Sequence, residues 1–186
     1  MLGAWRLYPS ALEPADCERH LRELLDSTSL GAGGVHGDNR VDRSIRRSRV
    51  GWPNRRRHAE LLDKIRATVH AANRTLWSFD LDGHEEWQFT HYTHEDAGVY
   101  HTHMDCSLDE GSASCRKLSV VVNLSEPHSY AGGSLQLGAV ANPDPSQLRA
   151  RGTALVFPSF VEHHVTPLLA GERYSLVAWF SGPNWR

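Results

Sequence analysis

Apolar residues recur every three to four positions in two stretches of the first 80 residues. In EPADCERHLRELLDS, Leu21, Leu24 and Leu25 share a face with Cys17 one turn earlier, which predicts a first helix. In the second stretch Leu61, Leu62, Ile65, Val69 and Ala72 form an apolar stripe. It predicts a helix over about 55–75, with Asn54 as its N-cap. Between the two lies TSLGAGGVHGDN, whose glycines predict a mobile segment. After Trp77 the period changes from helical to two. EEWQFTHYT and GVYHTHMD alternate, and KLSVVVNLS is a β-branched run. GGSLQLGAV, GTALVFPS, EHHVTPL and RYSLVAWFSG follow, separated by Gly, Pro, Asn and Ser. Helices first and a long strand series after predict an α+β fold: a β-sandwich or barrel with the helices packed on one side. No repeat or linker divides the chain. One domain is expected over 1–186, with helical support over about 1–80 and a barrel core over about 81–186.

Charge changes this picture only locally. The formal net charge of −2 predicts no general attraction to nucleic acid or to an anionic membrane. Yet eight arginines (Arg40, Arg43, Arg46, Arg47, Arg49, Arg55, Arg56 and Arg57) crowd one window. Interleaved aromatics are missing there apart from Trp52, which ranks nucleic acid low as a partner. The N-terminal stretch has no long apolar run, and no later stretch could span a bilayer. An odd count of three cysteines, Cys17, Cys106 and Cys115, reads as reduced thiols. A cytoplasmic protein is expected.

The candidate chemistry lies in the histidines. Five of the twelve, His84, His91, His94, His101 and His103, fall in one short window. VYHTHMDCS contains both an H-x-H and an H-x-D pair. On a strand, alternate residues share a face, so His101, His103 and Asp105 are expected to project together. A further ligand has to come from another strand, and FPSFVEHHVTP offers His163 and His164. Two histidines and one carboxylate suit non-haem Fe(II) and leave three coordination positions open, whereas three or four histidines would favour zinc or copper. In GERYS, Arg173 and Ser175 also share a strand face. The planar guanidinium fork matches a carboxylate, and the hydroxyl adds a donor. Placed after a candidate metal ligand, this pair reads as an anchor for a dicarboxylate.

From about Trp87 onward the chain resembles the Fe(II)/2-oxoglutarate-dependent oxygenases, in their prolyl 4-hydroxylase-like branch. The segments that carry the resemblance are QFTHY, YHTHMD, RKLSVVVNLSEPHSYAGGSLQL and GTALVFPSFVEHHVTPLLAGERYSLVAWF. The resemblance implies a double-stranded β-helix, a jelly-roll or cupin-like barrel with N-terminal supporting helices. It implies His103, Asp105 and His163 as ligands to Fe(II). Tyr100, His103 and Asp105 fit the family's Y-x-x-H-x-D, and the ten-residue gap to Arg173 selects His163 over His164. For the cosubstrate 2-oxoglutarate it implies Arg173 on the far carboxylate with Ser175 beside it, Tyr92 as a further contact, and Asn123 as a polar one. Trp179 matches an aromatic that closes the pocket. With O2 as the oxidant and ascorbate in support, the implied reaction is decarboxylation of 2-oxoglutarate to succinate coupled to C–H hydroxylation. The intact Asp105 favours hydroxylation over halogenation.

The ligands do not name the molecule hydroxylated. Candidate contacts to it are Tyr100, His101, Arg46, Arg49, Trp52 and Trp179, drawn from the barrel mouth and from Gly31–Pro53. The connection THEDAGVYHT and the insertion SLDEGSASCRK are further candidates. A prolyl or other residue in a peptide or protein is the first reading of the substrate. A free amino acid or small metabolite is the second. A cupin-like metal-binding or sensing module without turnover is the third, and Arg173 with Ser175 argues against it.

Overall fold

A computed structural model of the chain describes residues 3–35, 40–106 and 114–185. Two helices precede most of the sheet. Helix α1 (Pro14–Ser27) opens with Pro14 in its first turn, and α2 (Ala59–Leu76) carries the predicted stripe. Asn54 does act as a cap, but of the turn before α2: its Oδ1 accepts from the backbone N–H groups of Arg56 and Arg57, and the helix proper begins at Ala59. Leu25 leaves the expected apolar face of α1 and is 44% exposed. A short helix α3 (Pro145–Arg149) is capped by Asp144, whose side chain accepts from Ser146 N and Gln147 N.

The strands are β1 (Arg6–Tyr8), β2 (Gly31–Ala32), β3 (Arg46–Arg47), β4 (Arg49–Gly51), β5 (Glu85–Thr93), β6 (Val99–His103), β7 (Ser114–Asn123), β8 (Tyr130–Gly132), β9 (Leu135–Leu137), β10 (Ala154–Pro158), β11 (His163–Val165) and β12 (Leu168–Pro183). They form two antiparallel sheets. The larger runs β1-β10-β7-β12-β5-β4-β2, with β8 also on β12, and the smaller runs β3-β6-β11-β9. This is the double-stranded β-helix. Four of its strands come from the first 80 residues, so that region supplies sheet edges as well as helices. Two- and three-residue strands are too short to leave a period in the sequence.

Alternation along the long strands makes two interiors. Trp87 and Phe89 of β5, Leu118, Val120 and Val122 of β7, and Leu176, Ala178 and Phe180 of β12 form one core with Leu24, Leu61, Leu62, Ile65, Val69 and Ala72 of the helices. The five stripe residues of α2 are fully buried, at about 1.5–3 kcal/mol for each large side chain, and this packing fixes the helices to the sheet. The second core, with Tyr92, Tyr100, Val121, Leu135, Leu155, Phe157 and Val165, fills the space between the sheets. Successive residues of β5 and β12 therefore serve opposite purposes, one holding the helices and the next facing the interior of the barrel.

Candidate metal centre and cosubstrate pocket

The small sheet brings the histidines together. In the β6–β11 pairing His163 sits opposite His103, but Val165 sits opposite Tyr100. Two steps on β11 thus match three on β6, which is a bulge with one extra residue on β6. The bulge breaks the alternation on which the sequence pattern relied. His101 turns outward and is exposed, while Tyr100, three residues before His103, stacks its ring on the His103 imidazole at 3.6 Å. The expectation that His101 shares the face of His103 is corrected accordingly. Asp105 lies just past the strand, where its backbone N–H donates to Ser159 O at 2.9 Å.

His103, Asp105 and His163 place one ligand atom each within 4.8 Å of the others. Asp105 Oδ1 is 3.7 Å from His103 Nε2, and Oδ2 is 3.4 Å from His163 Nε2. Each ring is oriented from behind. His103 Nδ1 lies 2.8 Å from His101 O, and His163 Nδ1 lies 3.0 Å from Val161 O. A carbonyl only accepts, so the proton of each neutral ring is on Nδ1 and both Nε2 lone pairs face the cluster. Burial, with the neighbouring His163 charge, pushes His103 down to about 4, which keeps it neutral. Burial acts to raise the Asp105 carboxyl, but His163, His103, Ser119 and Trp179 outweigh it and hold it below the usual range. Two imidazoles with their Nε2 atoms turned to the cluster and an ionised carboxylate, already converged, fit Fe(II).

The triad opens onto a cavity of about 610 Å³ between the sheets. Arg173 lines the same cavity. Its side chain is buried, 5% of the residue being exposed, and among the described residues it has no hydrogen-bond or ion-pair partner; its guanidinium lies 5.9 Å from the Tyr92 ring. A buried guanidinium calls for an anion. Tyr92, Thr90, Ser175 and the apolar side chains of Val121, Leu135, Val165 and Val177 share that cavity.

A sequence profile of the 2OG-Fe(II) oxygenase superfamily matches residues 87–181, which is half of the chain and contains the whole triad with Arg173. The chain belongs to this superfamily. Among curated relatives, a PKHD-type hydroxylase of Hyphomonas neptunium is 37% identical over 83 residues, covering 44% of this chain and 37% of that protein. The match thus spans little more than a third of the relative's length. A PKHD-type hydroxylase of a Synechococcus species is 23% identical over 174 residues, covering 90% of this chain and 74% of the other. Among solved structures, a viral collagen prolyl hydroxylase from Paramecium Bursaria Chlorella virus-1 shares the fold with a TM-score of 0.74 at 16% identity, over 97% of both chains. A Trichoplax adhaerens prolyl hydroxylase, solved with a hypoxia inducible factor peptide fragment, gives 0.73 at 19% identity, covering 95% of this chain and 83% of that one.

In this member of the superfamily the cavity wall gathers most of the predicted residues. Tyr92, Tyr100, Arg46, Trp52, Trp179, Arg173 and Ser175 all line it with the triad. Three predicted residues do not. Asn123 is buried, and its amide nitrogen donates to Ser125 O and Arg149 O. Arg49 is exposed opposite His91 on β5, and His101 has left the face through the bulge. Of THEDAGVYHT, Tyr100 alone lines the wall. Most of the insertion after Asp105, residues 107–113, lies outside the described residues, as does 36–39 of the glycine-rich segment.

Among the polar wall residues, Glu86, Gln88 and Thr90 escaped the sequence reading, and Arg116 entered it only as part of the insertion SLDEGSASCRK. The first three alternate with Trp87 and Phe89, so the polar face of EEWQFTHYT carried the signal. Arg116 binds Glu86 through Nε at 2.8 Å and lies 4.0 Å over the Trp179 ring. Arg116 stands between Cys115 and Lys117 at the start of β7, before the apolar run that follows. Most of the Arg-rich window is engaged with the protein itself: Arg43 with Asp96, Arg47 with Ala97 O, and Arg55 with the buried Glu85.

Proposed function

We propose that this chain is an Fe(II)- and 2-oxoglutarate-dependent hydroxylase acting on a prolyl or other amino-acid residue of a peptide or protein. The observation that carries the reading is one cavity holding a preformed His-Asp-His triad and a buried arginine with no hydrogen-bond or ion-pair partner among the described residues. The names of the relatives and the peptide in the Trichoplax structure support the substrate class. The exposed Trp52 at the cavity supports it too, since an aromatic platform suits an extended chain. The three unpaired cysteines support a cytoplasmic setting. Pairing of β1 with β10 across the chain supports treating residues 1–186 as one catalytic unit.

His103, Asp105 and His163 would hold the metal through two Nε2 atoms and one carboxylate oxygen. Bound iron, with 2-oxoglutarate and O2, supplies oxidative decarboxylation to succinate coupled to hydroxylation of a C–H bond. The protein's part is placement. Arg173 binds the far carboxylate of the cosubstrate through a charge-assisted pair, with the Ser175 hydroxyl and Tyr92 beside it, so that the keto acid enters in one orientation. Val121, Leu135, Val165 and Val177 keep that pocket dry and strengthen the pair. Tyr100 and Trp179 bound the remaining space, where the substrate carbon must lie.

The test is conversion of 2-oxoglutarate to succinate by the purified chain with Fe(II), ascorbate and a substrate panel. Proline-containing peptides are expected to stimulate turnover more than free amino acids do; the opposite order would move the substrate to the small-metabolite class. His103→Ala, Asp105→Ala and His163→Ala are each expected to reduce turnover to background, while His101→Ala and His164→Ala retain it. Full activity in His163→Ala would sink the assignment.

A further inference from the structure

Two serines that are not part of the cavity wall stand directly behind the carboxylate of the triad. Ser119 is on β7 opposite Phe157 and Trp179, and Ser159 follows β10. Both are completely buried. A hydroxyl inside an apolar run such as KLSVVVN is costly to bury without a hydrogen bond, so its partners are informative. Ser119 Oγ lies 2.7 Å from Asp105 Oδ2 and 2.9 Å from Ser159 Oγ.

The protons of this trio can be assigned. An ionised carboxylate has none to give, so the single hydroxyl proton of Ser119 goes to Asp105 Oδ2. The contact between the two serines is then closed by the Ser159 proton, donated to Ser119 Oγ. The direction is one-way, Ser159 to Ser119 to Asp105, and each donor in such a chain polarises the next. Ser159 also grips the same residue through its main chain: its carbonyl accepts from Asp105 N at 2.9 Å and Cys106 N at 3.1 Å, and its own N–H donates to Lys117 O at 2.9 Å. The hydroxyl relay and the backbone clamp together fix both the position and the plane of the carboxylate.

We propose that Ser119, backed by Ser159, is a positioning residue that restricts Asp105 to metal ligation through one oxygen. Ser119 donates to Oδ2, so Oδ1, 3.7 Å from His103 Nε2, is the oxygen that carries no serine proton. That matters for the reading above, on which this inference rests. Held by two imidazoles and one carboxylate oxygen, the ion would keep room for the keto acid and O2. A carboxylate free to swing and bind through both oxygens would take up part of that room.

The experiment uses the intact apo-protein and needs no turnover. Co(II) affinity is read by titration of its visible absorption, and the number of exchangeable waters on bound Mn(II) by proton relaxation. Ser119→Ala is expected to weaken Co(II) binding about 10–100-fold, the usual effect of removing a group that orients a ligand, and to lower the Mn(II) water count by one. Ser159→Ala should shift both in the same direction but less, and Ser119→Thr, which keeps the hydroxyl, should restore them. Circular dichroism checks that the variants fold; if Ser119→Ala does not, Ser159→Ala and Ser119→Thr still decide the matter. Co(II) affinity within about twofold of the unsubstituted chain in the alanine variants, or Ser119→Thr behaving like Ser119→Ala in a folded protein, would overturn the positioning role alone. Failure of the unsubstituted chain to take up Co(II) would remove the metal site itself.

Discussion

Arg46 and Arg173 are the same residue type, buried to nearly the same degree at 7% and 5% exposed, and both line one cavity. They differ in what surrounds them. Arg46 has every nitrogen engaged: Nε donates to Ser48 Oγ at 2.7 Å, Nη1 to Gly34 O at 2.9 Å, and Nη2 to Gln88 Oε1 at 2.8 Å. Its guanidinium also covers the Tyr100 ring at 4.5 Å, and that ring in turn stacks on His103. Arg173 has none of these bonds among the described residues. A buried charge that the protein satisfies is architecture, and one that it leaves unsatisfied is a place reserved for a ligand. Crowding of charge in the sequence does not separate the two cases, since Arg46 sits in the Arg-rich window and Arg173 stands apart from it.

The largest effect that would break this contrast lies at Arg173. Replacing it with Met should remove a charge-assisted, two-pronged contact with 2-oxoglutarate. At about 3 kcal/mol for such a contact, the KM for 2-oxoglutarate rises about 100-fold. Thermal stability measured without cosubstrate should be unchanged or slightly higher, because no partner among the described residues is orphaned and an uncompensated buried charge is gone. Arg173→Lys should recover part of the loss, a point charge replacing a fork. A KM near that of the unsubstituted chain, or a large drop in melting temperature, would mean that Arg173 is architecture after all.

The converse substitution is next in size. Arg46→Met strips the partner from Gly34 O and Ser48 Oγ and leaves Gln88 Oε1 with Thr90 alone, at 3.1 Å. A loss of about 2–3 kcal/mol in unfolding free energy is expected, with the KM for 2-oxoglutarate little changed. Denaturant unfolding and cosubstrate titration of the two arginine variants together give a crossed pattern. Parallel losses in both measurements would erase the distinction.

This also shows what the chain's pattern discloses. Residue type and spacing were enough for a sandwich or barrel, for the stripe of α2, and for the histidine, aspartate and arginine candidates, while the resemblance to the oxygenases supplied the choice of His103 over His101 and of His163 over His164. Partnership is not a property of spacing. Arg49 and Asn123 have the right chemistry, but a register on β4 and two nearby carbonyls take them out of the cavity. His101 was misplaced by one inserted residue in β6, and a bulge has no signature in an alternating run. Gln88 and Thr90 were legible in principle as the polar half of β5, yet only the cavity gives that half a meaning.

The smallest expected effect extends the contrast to a group that acquires charge. His91 is buried on β5, its ring stacked on Tyr174 at 4.3 Å, and neither ring nitrogen has a hydrogen bond among the described residues. Glu172 Oε2 is 3.4 Å from Nε2, within ion-pair reach but outside hydrogen-bond geometry. Burial lowers the pKa of His91 below the ordinary histidine value; Glu172 opposes this and Arg49 reinforces it. In the unfolded chain His91 titrates near 6.5, so as the pH falls below about 6.5 the unfolded state takes up a proton that the folded state refuses. The contribution is therefore complete above about 6.5 and is lost as the pH falls toward the lowered folded value. His58, also held low by burial, adds a slope of the same sign. His91→Phe keeps the stacked ring and removes the titration, so its unfolding free energy should fall less steeply between pH 6.5 and pH 5, within the range where histidines titrate. An unchanged slope would show that Glu172 accommodates the charged ring, placing His91 with Arg46 among the satisfied groups rather than with Arg173.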